Sequence, residues 1–181
     1  MGEYKLLNRK TVLKLHAFNV EELHYELPDG RERDYDLVDH LDAVTILPIS
    51  KEGDILFVKQ YRIGSESKLL ELPAGLINKG EDPVDTAMRE LREETGMAAG
   101  KLVKLGGFYM TAGYSNEYMT VFLAKDLFAS PLNKDEDEFL DLVKVPIKKA
   151  LEMSRAGELI DGKSLASLFL GMKFLDEIIG K

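Results

Sequence analysis

GLINKGEDPVDTAMRELREETGM, residues Gly75 to Met97, decides how the rest of the chain is read. Asp82 offers the side-chain oxygen a helix N-cap needs, and Pro83 fits the first helical position, where its missing amide donor is not required. Val84, Ala87, Met88 and Leu91 recur on one side of that helix, charged residues take the other, and Gly96 is placed to stop it. The spacing predicts a helix from Pro83 to about Thr95. Its second half carries Glu90, Glu93 and Glu94. Glu90 and Glu94 are one turn apart and project together. On an exposed helix their repulsion costs a few tenths of a kcal/mol. In a partly enclosed site, two charges about 4 Å apart repel by roughly 4 kcal/mol at an effective dielectric near 20. The residues alone admit two readings. One is a solvated acidic face, which composition favours; the other is a seat for a hard divalent cation with oxygen ligands.

Outward from this helix the chain alternates strands and helices. Upstream, AVTILPI (Ala43–Ile49) and DILFVKQYR (Asp54–Arg62) read as strands joined by the turn-forming SKEGD. Earlier still, VEELHYELPDGRERDYDLVDH holds Pro28-Asp29-Gly30 between two alternating stretches, a hairpin. Downstream, YMTVFLA and FLDLVKV are strands. Pro146 opens a helix containing Ile147, Ala150 and Leu151. Asp161 or Ser164 caps a last helix with Leu165, Leu168, Phe169, Met172 and Leu175 on its apolar stripe, and Gly180 is placed to end it. The order predicts an α/β chain, a sheet flanked by helices. The expected division is a strand region over residues 1–40 and a main domain over 41–181. A small N-terminal antiparallel sheet exposes edges that a partner subunit would cover.

The bulk numbers narrow the functional classes. With 181 residues and 45% apolar content the chain supports one sizeable domain with a real core. It has no cysteine, which removes disulfides and thiolate metal sites. The net charge of −8 opposes a general nucleic-acid binder, while leaving room for a small phosphorylated ligand. No apolar run approaches the ~20 residues that span a bilayer. The N-terminus lacks a signal-peptide pattern, so a cytoplasmic location is expected. His16, His24 and His40 match no usual metal-ligand spacing.

Taken whole, Gly75–Met97 resembles the Nudix box: glycine, five residues, glutamate, seven residues, then Arg-Glu-apolar-x-Glu-Glu-x-Gly-apolar. The matching positions are Gly75, Glu81, Arg89, Glu90, Leu91, Glu93, Glu94, Gly96 and Met97. The resemblance implies an α/β/α sandwich with a mixed sheet, and a loop–helix–loop that binds two or more Mg²⁺ or Mn²⁺ ions against a diphosphate. It also implies hydrolysis of a nucleoside diphosphate linked to another moiety.

The surroundings resemble the branch that hydrolyses ADP-ribose and other nucleoside diphosphate sugars. VKQYR and LLELPAG are similar to its strands and its lead-in to the metal loop, and GELIDGKSLASLFLGMKFL to its C-terminal helix. By that likeness the Ala74 carbonyl, Glu90 and Glu94 are metal ligands, with Glu93 close by. Arg62 meets the substrate's phosphate or terminal ribose, and Glu71 lies near the site. DEDEFLDLVKV resembles the acidic loop that closes over the site. There Glu136 matches the general base, a role Glu93 could take instead, and Glu138 matches a further metal contact. The branch commonly dimerises by exchanging its N-terminal strands.

Two departures bear on specificity. TAGYSNE has Ala112 where ADP-ribose hydrolases usually carry proline, and DHLDAV has Leu41-Asp42 for a common Pro-Gly. Proline loss leaves a loop freer before binding. Glu117 is kept as a candidate substrate contact. Other expectations are GDP-mannose, a dinucleotide or a nucleoside triphosphate as substrate, or a non-catalytic ADP-ribose sensor. Sensors often lose box glutamates, and this chain keeps them all.

Overall fold

A near-continuous apolar run of strand length is what a strand buried on both faces requires, and Ala43–Pro48 (β4), apolar but for Thr45, is buried at every position. Successive side chains point to opposite faces, so β4 feeds two cores. Val44 and Ile46 pack with Leu56, Ala87, Leu91 and Phe122, whereas Leu47 packs with Phe57, Leu123, Leu151 and Leu168. The computed structural model describes residues 2–133 and 139–180.

In chain order the elements are β1 (Lys5–Lys14), β2 (Asn19–Glu26), β3 (Glu32–Asp39), β4, β5 (Asp54–Arg62), β6 (Ser67–Glu71), β7 (Ala74–Leu76), α1 (Pro83–Thr95), β8 (Met97–Tyr109), β9 (Tyr118–Ala129), β10 (Leu140–Pro146), α2 (Ile147–Ala156) and α3 (Gly162–Ile179). One sheet has the order β7-β4-β9-β8 and is mixed, since β4 runs parallel to β9 and antiparallel to β7. A second has the order β10-β5-β6, antiparallel throughout. The expected α/β fold with a mixed sheet is present, and α1 lies over one core while α2 and α3 supply the other.

The chain divides into two compact units, Met1–Asp42 with Tyr109–Tyr118, and Ala43–Phe108 with Met119–Lys181. The first contains the antiparallel sheet β1-β2-β3, which is the separate small sheet expected of the N-terminal strands. Its hairpin turns at Leu27–Arg31, with Gly30 at φ 85° and Leu27 N donating to Arg31 O at 2.7 Å. All ten residues of β1 are exposed. His24 sits on this sheet between Asp34 and Glu32, at 2.6 and 3.0 Å.

The helix caps follow the local chemistry. Asp82 accepts from Val84 N at 2.8 Å, Pro83 begins α1, and Gly96 ends it in the left-handed region at φ 73°. Asp161, rather than Ser164, caps α3. Besides the short β6 and β7, one long element was not expected: β8, MAAGKLVKLGGFY, thirteen residues long. Its alanines and glycines give it poor strand propensity. It forms at the end of the strand order, where β9 supplies a ready-made partner.

Candidate active site

The site begins with Arg89. The α1 helix aims its guanidinium back along the loop that precedes it, so that residues far apart in sequence converge on one cation. Nε and Nη2 donate to Glu81 at 2.9 and 3.1 Å, Nη1 donates to Glu90 and Glu93 at 2.6 and 2.9 Å, and Nη2 also reaches Leu76 O at 3.2 Å. Three carboxylates thus share one planar donor, a geometry that lysine cannot supply. The Arg89 hydrogen bonds hold the Glu81 carboxyl at about 2, and Glu81, with its two neighbours, holds the guanidinium charged above its ordinary range. The Arg89–Glu93 pair follows from helical spacing and Glu90 is the next residue along α1; the Glu81 contact needs the folded loop.

Glu90 and Glu94 are both buried, at 6% and 3% exposure, unlike the solvated face that composition favoured. Glu94 Oε2 accepts from Ala74 N at 3.2 Å, which ties the helix to the loop expected to supply a carbonyl ligand. Gly75 lies against Glu90 so closely that a Cβ there would run into its carboxylate. Close approach rather than backbone angle thus favours glycine, since any side chain there must displace the Glu90 carboxylate. Pro73 O accepts from Ile46 N at 2.8 Å and from Thr45 Oγ1 at 3.3 Å, which latches the same loop to β4. Two buried carboxylates beside a tethered backbone segment form an all-oxygen donor set, which suits a hard cation. Among the described residues, no three acidic or imidazole side chains form a complete ion cage by themselves.

A second charged cluster stands beside the first. Arg62, at the end of β5, donates to both oxygens of Glu71 at 2.8 and 2.7 Å. Glu71 is 1% exposed, and Lys163 Nζ from the first turn of α3 also donates to it. Burial pushes the Glu71 carboxyl up, but the hydrogen bonds from Arg62 and Lys163 outweigh it and hold it below the ordinary carboxylate range. Arg62 is pushed up, first by its bonds to Glu71 and then by the fields of Glu71, Glu94 and Asp161. Glu71 stands three residues before Ala74, whose amide Glu94 accepts, so the chain that carries the second cluster leads directly to the first. Lys163 had no signal in a linear reading: one lysine at a helix start looks like a surface residue, and only the fold buries it against Glu71.

Glu117 lies in the other compact unit, where its carboxylate is 4.0 Å from His40 Nδ1. The loops around it are braced without proline. Asn116 donates to Asp39 Oδ1 at 2.7 Å and accepts from His40 N at 2.8 Å, and Asp42 accepts from Tyr118 N at 3.1 Å. Glu136 and Glu138 lie outside the described residues.

The NUDIX domain model matches residues 39–168, which include every box position. This chain belongs to the NUDIX family. The NUDIX chain is 40% identical over 167 residues to the ADP-ribose pyrophosphatase of Bacillus subtilis (strain 168), covering 88% of this chain and 90% of that protein. It is 35% identical over 159 residues to the methanol dehydrogenase activator of Bacillus methanolicus, covering 87% and 83%. A crystal structure of an ADP compounds hydrolase superposes with a TM-score of 0.86 at 29% identity, over 98% of this chain and 97% of that one. With its box intact and these relatives, the NUDIX chain is a pyrophosphohydrolase. The Arg89 hub and the Glu90–Glu94 pair are what the box builds here.

Proposed function

We propose that this enzyme hydrolyses the diphosphate of a nucleoside diphosphate sugar, ADP-ribose or a close analogue, to a nucleoside monophosphate and a sugar phosphate. One observation carries the reading: Arg62 is paired to Glu71, and three residues later the Ala74 amide is held by the buried Glu94, so one short stretch of chain links a fixed cation to an oxygen donor set. A diphosphate with its counter-ions complements that arrangement. Relatives named for ADP-ribose and ADP compounds support the choice of nucleotide.

Glu90, Glu94 and the Ala74 carbonyl would hold Mg²⁺ or Mn²⁺, two or more ions, with Glu138 as a further contact. When bound, such ions offset the charge of the diphosphate and acidify water. Arg62 orients the substrate through a phosphate or the terminal ribose, with Glu71 fixing its plane, and Glu117 is retained as a substrate contact. Water adds to one phosphorus as the bridging P–O bond breaks, and a general base takes its proton. Glu93 is tied to Arg89 at 2.9 Å, which supports an anchoring role for it, and we take Glu136 as the base, with Glu93 the alternative. The exposure of all ten β1 residues, Leu6, Leu7, Val12 and Leu13 among them, supports a homodimer assembled through the N-terminal strands. Among the described residues no helix is long and apolar enough to cross a membrane, and the absence of cysteine fits a cytoplasmic enzyme.

The test is turnover of ADP-ribose, GDP-mannose, NADH and diadenosine polyphosphates with Mg²⁺, with products resolved by chromatography. The expected result is AMP from ADP-ribose at the highest kcat/KM, and loss of that product in Glu136→Gln. Tight binding of ADP-ribose with no turnover of any substrate would instead establish a sensor.

A further inference from the structure

Lys163 is an unusual residue to bury. Its side chain is 9% exposed, and its ammonium lies between Glu71 and Asp161, 3.1 Å from Asp161 Oδ1. Asp161 is itself held, since its Oδ2 caps α3 by accepting from Ser164 N at 3.0 Å and Ser164 Oγ at 2.5 Å. The Ser164 hydroxyl in turn accepts from Leu72 N at 2.7 Å. The first turn of α3 is therefore fixed to β6 and the residue after it at two points, Lys163 on Glu71 and Ser164 on Leu72. Leu72 is two residues before Ala74.

Charge and geometry decide what Lys163 does there. A carboxylate as buried as Glu71 is costly unless it is fully paired. Arg62 supplies one cation, but its side chain is 44% exposed and offers its outer edge to solvent. Nε and Nη2 face Glu71, so the edge bearing Nη1 faces away. If Arg62 were the sole counter-ion, its position would have to satisfy the buried carboxylate first. Lys163 shares Oε2 with Arg62, so Glu71 keeps a counter-ion from the opposite element whatever the outer edge of Arg62 binds. Three donors on two oxygens also stop the carboxylate from turning, and the plane of Glu71 sets the plane of the Arg62 fork.

From this geometry we infer that Lys163 is a positioning residue for substrate binding. Through Glu71 it holds the Arg62 guanidinium in the orientation that receives the diphosphate sugar, and Asp161 holds Lys163. The inference rests on the proposed role of Arg62. It assigns α3, which carries no box residue, a part in substrate affinity. An orienting contact used equally in the bound and transition states changes KM and leaves kcat nearly alone.

Two measurements test it, one of them free of substrate. The first follows the Arg62 Nε–H signal by ¹⁵N NMR, assigned by its loss in Arg62→Lys. It is expected to be sharp and protected from exchange in the wild type, and broadened or lost in Lys163→Met. The second is steady-state turnover of ADP-ribose with Mg²⁺, where Lys163→Met is expected to raise KM about tenfold with kcat within about threefold, the scale of one charge-assisted hydrogen bond. Because the chain has no cysteine, Lys163→Cys can be alkylated in denaturant with 2-bromoethylamine and refolded, restoring an ammonium at nearly lysine length. The aminoethylated protein is expected to recover both the Arg62 signal and the KM, and the unmodified Cys variant neither. A Lys163→Met protein with lowered Tm but an unchanged Arg62 signal and KM would overturn the inference and leave Lys163 a purely structural counter-ion. If the wild type turned over no diphosphate sugar, the proposed activity would fail, and the NMR signal would still decide what Lys163 does to Arg62.

Discussion

The guanidinium of Arg89 meets the carboxylate of Glu81 through two hydrogen bonds, 2.9 and 3.1 Å, across eight residues of chain. The same cation also holds Glu90 and Glu93, so three negative charges depend on it. Arg89→Gln leaves them facing one another without a counter-charge. Charge-assisted hydrogen bonds contribute about 1.5–3 kcal/mol each and are not additive within a network. A loss of about 3 kcal/mol is expected, with kcat/KM reduced at least about 100-fold as Glu90 leaves its place. Thermal melts and turnover check this; a variant as active as the wild type would show that the hub is dispensable.

Glu81 gives the hub a pH signature. Its carboxyl is lowered from 4.5 to about 2 in the folded protein. A group lowered on folding contributes stability that is present above the unfolded value and is lost as pH falls through the folded one. Glu81 therefore stabilises the fold above pH 4.5 and gives up that contribution between 4.5 and about 2. Urea titrations from pH 6 to pH 2.5 should show wild-type stability falling more steeply than that of Glu81→Gln, and parallel curves would rule out the coupling.

Gly75 separates close packing from chemistry. A methyl group there meets the Glu90 carboxylate, which must turn away from Arg89 or push the loop aside. Gly75→Ala is expected to fold, with Tm lowered by a few degrees and kcat lowered about 100-fold, the scale of one misplaced stabilising group. A crystal structure should show Glu90 displaced. Unchanged turnover would mean that Glu90 can work from a second position.

Glu94→Gln isolates charge from shape. Glutamine keeps an oxygen that can accept from Ala74 N, so the helix-to-loop contact at 3.2 Å survives while the negative charge is lost. Mn²⁺ affinity, read by electron paramagnetic resonance, is expected to fall at least about tenfold with Tm nearly unchanged. Equal Mn²⁺ binding in both proteins would remove Glu94 from the ligand set.

What was legible in the sequence follows a physical division. The caps of α1, the glycine turns and the alternating strands are local, set by a few neighbouring residues, and Asp82, Pro83 and Gly96 stand where their chemistry places them. The two-sided burial of β4 follows from a run that is apolar but for Thr45. β8 was missed because its alanines and glycines carry no strand pattern, and pairing with β9 supplies the order that propensity lacks. In the site, Arg62 and Glu71 were each expected through resemblance to a family, and the fold adds that they bind one another. Lys163 is 92 residues from Glu71, and no periodicity reaches that far.

The bond from Leu72 N to the Ser164 hydroxyl has a consequence for motion. Both residues are fully buried, so this amide exchanges with solvent only when α3 lifts from the strand beneath it. An opening there releases Lys163 and Ser164 together, and with them the run of chain that leads to Ala74. The last helix and the chain that leads to Ala74 are thus expected to open together. A ligand held at the loop would slow deuterium uptake at Leu72 and in the first turn of α3, an echo of binding in a helix that carries none of the box residues.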